Sequence, residues 1–97
     1  MPACIISRVK ISDPQTMTSY MAQAPASIET FGGKYLVRTQ NIEVLEGKAD
    51  YDRMVVLEFP DRERALAWYH SDEYRELRET RWRAAEAHIV VLPGEMI

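Results

Sequence analysis

The chain has 97 residues, 46% of them hydrophobic and 28% charged, which describes one ordinary globular domain spanning residues 1–97. A net charge of −3 argues against nucleic-acid or anionic-membrane binding, since both need a basic surface. Cys4 is the lone cysteine, so no internal disulfide is expected. No run approaches the roughly 18 apolar residues of a membrane span, and MPACIISRVK lacks a basic region leading into a long apolar one. A cytoplasmic location is the default expectation.

Ala3–Ile11 alternates and is rich in Ile and Val, which predicts a first strand. Asp13-Pro14 is a helix cap followed by proline at the first helical position. Met17, Tyr20, Met21, Ala24, Ile28 and Phe31 then recur at steps of three and four, the spacing of one buried helical face. Pro25 interrupts that pattern and is expected to kink or split the helix, which Gly32-Gly33 stops. Tyr35–Thr39 reads as the second strand, with Ile42–Leu45 as its extension beyond a bend and Glu46–Asp52 as a polar turn. Met54-Val55-Val56-Leu57 is the short apolar run of a central strand, ended by Pro60. Asp61 caps a short helix containing Ala65, Leu66, Trp68 and Tyr69. Ser71 caps another, with Asp72 and Glu73 where the helix dipole favours negative charge. Tyr74, Leu77, Arg81, Ala84 and Ala85 continue a helical face, and Ile89–Leu92 is the last strand, closed by Pro93-Gly94.

With right-handed crossovers, this order predicts an α+β, ferredoxin-like fold: a four-stranded antiparallel sheet with helices on one face. Odd-numbered strand positions are almost all apolar and are expected to face the helices. Even-numbered ones are mixed, with Ile6, Leu36, Met54, Val56, Val90 and Leu92 beside Arg8, Arg38, Glu58 and His88. So many large aliphatics call for a cover, and the chain has no helix left to supply one. A homodimer through the open sheet face is therefore expected.

The segments GGKYLVR, EVLEG, VVLEFPD, WYHSDEY and RAAEAHIVVLPG, in this order, resemble the domain-of-unknown-function family numbered 1330. The resemblance covers nearly the whole chain and implies the dimeric α/β-barrel architecture, with two sheets packed face to face. Thr39-Gln40 stands where glycines often follow the arginine, and Asp72 where a proline is common after the serine. The resemblance supplies no catalytic residues. Other families on this barrel include cofactor-free monooxygenases, lactone isomerases and haem-degrading enzymes, an analogy that favours a small-ligand pocket.

The four glycines (Gly32, Gly33, Gly47 and Gly94) begin no phosphate loop or dinucleotide fingerprint. His70 and His88 lie on different elements with no metal-ligand spacing, so no metal or other cofactor is expected. An RNA-recognition reading needs exposed aromatics on the central strands, where this chain offers Met54, Val56 and Glu58. The loop SDPQ is no anion cradle of the acylphosphatase kind, and nothing near Cys4 in sequence would activate its thiol.

What stands out is polar residues where the pattern asks for apolar ones. Arg81 falls on the buried face of the last helix, where a guanidinium is costly unless it meets a carboxylate or a bound anion. One reading is snorkelling or a structural pair with Glu58 or Glu29; the other is an anchor for a ligand carboxylate or carbonyl. Arg38 and Glu58 share the inner sheet face, where a dimer-interface ion pair competes with a site. Trp68, Tyr69, His70 and Tyr74 bring aromatic walls, an imidazole and a phenol to one helix junction, with Tyr20 as a further lining residue. The resulting candidates are His70 and Tyr74 as catalytic groups, and Arg81, Tyr20, Tyr69 and Arg38 as ligand-binding ones. Two function classes remain. One is a small ligand-binding protein or metal-free enzyme taking a carboxylate- or carbonyl-bearing, in some cases aromatic, ligand between sheet and helices. The alternative is a non-catalytic homodimeric interaction protein with a filled core.

Overall fold

A computed structural model describes residues 1–48 and 50–94. Its elements are β1 (Ala3–Ile11), α1 (Pro14–Thr30), β2 (Lys34–Thr39), β3 (Arg53–Phe59), α2 (Arg62–Tyr69), α3 (Asp72–Ala84) and β4 (Ala85–Pro93). The strands form one antiparallel sheet in the order β2-β3-β1-β4, the ferredoxin-like arrangement expected from the element order. Ile5 lies opposite Leu57 and Val91, while Ile6 lies opposite Val56 and Val90, so each face is built by residues of one parity along β1, β3 and β4. The helices cover the odd face. Ile5, Leu57 and Phe59 pack there against Ala24 and Ile28 of α1, Ala65 and Trp68 of α2, and Tyr74 of α3.

Capping follows the sequence closely. Asp13, Asp61 and Ser71 are the three N-caps, each accepting a hydrogen bond from the backbone N–H three residues on. Gly32 adopts φ 79°, and a Cβ on Gly33 would sit 2.6 Å from the Phe59 ring, so the Gly-Gly stop serves both a left-handed turn and a close approach to the core.

Several expectations are corrected. Pro25 does not split α1, which runs without interruption from Pro14 to Thr30. A proline removes a single donor, and Met17 before it and Ile28 after it hold the same buried face against the core. The helical face stops at Ala84: Ala85 is already extended (φ −161°, ψ 153°), and β4 begins four residues before Ile89. Ala85-Glu86-Ala87-His88 alternates as well as it spirals, and nine residues of β1 demand a full-length partner, pairing Ile11 with Ala85 and Ala3 with Pro93. The Ser12 and Asp13 N–H groups donate to the Ala84 carbonyl at 2.8 and 2.9 Å, fixing that junction. Ile42–Leu45 extends no strand; the chain turns after Thr39, whose Oγ1 accepts from the Asn41 N–H at 2.9 Å. Within the polar turn at Glu46–Asp52, Ala49 lies outside the described residues.

A further correction concerns β2. Tyr35 pairs with Leu57, but Val37 pairs with Val56 and Arg38 with Val55, so two residues of β2 oppose one of β3. This bulge exchanges the two faces beyond it. Val37 moves to the open face, and Arg38, expected on that inner face beside Glu58, moves to the helix side. Glu58 pairs instead with Lys34, at 3.5 Å.

The two tryptophans separate cleanly. Trp68 is 2% exposed and its indole N–H donates to Ser27 Oγ at 3.1 Å, whereas Trp82 is 58% exposed. Acrylamide quenching is expected to find one protected and one accessible indole in the monomeric unit. Two fully accessible indoles would contradict the helix packing.

Candidate functional site

Ser71 sets the site's geometry. Its hydroxyl donates to the Trp68 carbonyl at 2.7 Å and accepts from the Tyr74 N–H at 3.1 Å, locking the α2–α3 junction. Tyr74 is thereby laid against Trp68, ring centroids 4.1 Å apart, and is fully buried. Arg81 follows seven residues later on the same face of α3, two helical turns on. Across from them, α1 supplies Tyr20, whose phenol oxygen lies 2.5 Å from that of Tyr74.

Arg81 is only 3% exposed, yet its Nε and Nη2 have no hydrogen-bond partner among the described residues. The ion pairs found there, Lys34–Glu58 and Arg75–Asp72, leave it out. Glu58 lies on the opposite face of the sheet and Glu29 is exposed, so neither is the structural partner that the sequence suggested. Its neighbours are phenols. Burial, the largest single influence, pulls the Arg81 guanidinium down, but Tyr74, Tyr20 and Tyr69 together hold it above the usual arginine value. Burial, reinforced by Tyr74, raises the Tyr20 phenol well above its ordinary pKa. At neutral pH the site therefore holds a cation, Arg81, near the neutral Tyr20 hydroxyl.

Tyr20, Tyr74 and Arg81 line a cavity of about 30 Å³ between sheet and helices, walled by Met17, Val55, Leu57 and Ile89. That is space for a few waters or a carboxylate-sized head, since one water needs roughly 10–15 Å³ on this measure. Tyr35 and Arg53 also line it, and no described lining residue is acidic. The Arg38 guanidinium stacks over the Tyr35 ring, 4.6 Å from its centroid.

Of the residues singled out from sequence, Tyr20, Tyr74 and Arg81 come together at one point, with the half-buried Tyr69 ring 5.9 Å from that of Tyr74. Arg38 does not line the cavity; the bulge puts it on the helix side of β2, exposed and stacked on Tyr35, which does line it. His70 is placed elsewhere: it is the exposed C-cap of α2 and lines a separate groove against β4 with Leu66, Val90 and Val91. Sequence reasoning missed Tyr35 and Arg53 as lining residues. Their odd numbers in β2 and β3 carried the signal, because that parity faces the helices. Among the described residues, no three His, Cys, Asp or Glu side chains gather as metal ligands.

A model of the family described as Domain of unknown function (DUF1330) matches residues 2–95. The chain belongs to this family. Among solved structures, the DUF1330 protein is similar to RPA0582 of Rhodopseudomonas palustris, itself of unknown function, with 19% identity over 99% of this chain and 84% of that one and a TM-score of 0.80. A dimeric ferredoxin-like protein of unknown function from Jannaschia sp. CCS1 matches with TM-score 0.79 and 10% identity over 95% and 98% of the two chains. SnoaB of Streptomyces nogalater, a cofactor-independent oxygenase, matches with TM-score 0.72 and 10% identity over 99% and 95%. At these identities the likeness establishes the fold. No curated protein matches the chain.

Proposed function

We propose that this DUF1330 protein binds a small anionic ligand, a carboxylate or an acidic carbonyl compound, between its sheet and helices, with Arg81 as the anchor. The observation that carries this reading is the buried Arg81 guanidinium with two unpaired donors and no described carboxylate beside it. A planar, oxygen-rich group is the natural complement of that fork. The cavity admits the acidic head, and the body of the ligand extends towards Tyr35 and the mouth. The chemistry that these residues support without a metal is proton transfer: Arg81 stabilises negative charge on a bound carbonyl oxygen while Tyr74, hydrogen-bonded to Tyr20, gives or takes a proton. A cofactor-independent oxygenase of similar fold supports the metal-free part of this reading.

The proposal includes a homodimer. Val37, Val90 and Leu92 are exposed on the open face of the sheet, beside half-buried Ile6, Met54 and Val56, and a second copy is the simplest cover. Dimeric proteins on this fold support the same reading. A purely structural dimer would account for the open face and the narrow cavity, but leaves Arg81 buried without a purpose.

Melting of the wild-type protein with and without acetate, benzoate and 2-hydroxybenzoate, against chloride at equal ionic strength, tests the ligand. At least one carboxylate is expected to raise Tm in a saturable way, by an increment equivalent to about 2.7 kcal/mol at a hundred times its Kd. A panel in which nothing shifts Tm would remove the reading.

A further inference from the structure

We infer that the ligand is a diacid, or an acid bearing a second ionised oxygen, held at depth by Arg81 and at the mouth by Arg38 and Arg53. This inference rests on the ligand-binding reading above and narrows it to a substrate class. Its basis is the β2 bulge. Without that extra residue Arg38 would point to the open face; with it, Arg38 lies opposite Val55 on the helix side. Arg53 stands two residues before Val55 on the same face of β3, so the two guanidiniums occupy diagonal cross-strand positions at one end of the pocket. Like charges so placed repel, and neither arginine has an acidic partner among the described residues. Burial lowers the Arg53 pKa; Tyr35 and Tyr20 oppose that fall and Arg38 adds to it. An anion between them relieves both effects.

Tyr35 links the two ends. Its ring carries the Arg38 guanidinium on one face, and it lines the same cavity as Tyr20, Tyr74 and Arg81. Burial raises the Tyr35 phenol while Arg38 opposes the rise, so it meets a ligand as a neutral donor. The cavity walled by Val55, Leu57 and Met17 takes the acidic head alone, so a short apolar or aromatic body lies outside it, towards Tyr35. A monoacid uses Arg81 alone and leaves the mouth repulsion in place, whereas a diacid satisfies both ends.

The test is a set of matched pairs, acetate against succinate and glutarate, and benzoate against the three benzenedicarboxylates. Affinities are measured by calorimetry on wild type, Arg38→Gln and Arg53→Gln, with oligomeric state followed by light scattering. At least one diacid is expected to bind wild type about tenfold or more tightly than its monoacid, the increment of one charge-assisted contact. In Arg38→Gln and Arg53→Gln the ratio of diacid to monoacid affinity is expected to fall to about one, whatever the change in monoacid affinity itself. Monoacids binding as well as every diacid would overturn the inference and leave the Arg81 anchor standing. If neither class binds, both the anchor and the diacid fall together. Substitutions that change oligomeric state but not the diacid preference would show that the two arginines serve an interface instead.

Discussion

Arg81→Ala is expected to fold as well as wild type, within about 1 kcal/mol, and to lose every carboxylate-induced rise in Tm. The direction follows from what surrounds the guanidinium. Breaking a buried ion pair by removing one partner costs about 3–5 kcal/mol, because the other charge is left stranded. Here no described carboxylate would be stranded, and the substitution removes a buried cation with two unsatisfied donors. Loss of the packed stem and of the interaction with Tyr74 offsets that relief, which is why the net change is small. Ligand response is a separate quantity: without the fork the acidic head meets only neutral phenols. Melts of both proteins across the carboxylate panel measure the two together. A fall of 3 kcal/mol or more in the ligand-free variant, with no wild-type response to any panel member, would make Arg81 a structural residue.

Val56→Arg is expected to abolish the dimer and leave a folded but aggregation-prone monomer. Val56 lies mid-strand in β3 on the open face, between Ile6 of β1 and Val37 of β2. In a two-fold interface the substitution places a cation in both copies and buries each in an apolar contact, at a cost of about 3–5 kcal/mol for an unpaired buried charge. The same residue leaves the helix-side core untouched, so far-UV circular dichroism is expected to stay native while light scattering shows the monomer mass and then larger species. A Val56→Arg protein that remains a well-behaved dimer would mean that this face is not the interface.

Much of the fold was legible in local chemistry. Asp13, Asp61 and Ser71 predicted three helix starts because a side-chain oxygen one position before a helix satisfies the same backbone donor wherever it occurs. Parity along Ala3–Ile11 and Met54–Phe59 predicted which side chains meet the helices, since alternation in a strand is a property of the backbone alone. Two of the misses share one cause. Their own residues put Ala85 on the helix and Ile42–Leu45 in a strand, yet the length of β1 and the start of β3 decide where such segments change.

For the candidate site, the sequence determined that Arg81 falls on the buried stripe of its helix and that Tyr74 shares that stripe, because helical period depends on spacing alone. It could not determine what Arg81 meets. Glu58 and Glu29 were equally reasonable partners until the sheet put one on its far face and the other in solvent. Only the packing of α1 against α3 brought the Tyr20 phenol to Tyr74, across 54 positions of chain. His70 stays with Tyr69, and at the end of α2 the two line a different groove, against β4. The side of the sheet on which Arg38 stands was decided by one unpaired residue in β2, where ladder register, a long-range property of two strands, overrides the parity of either.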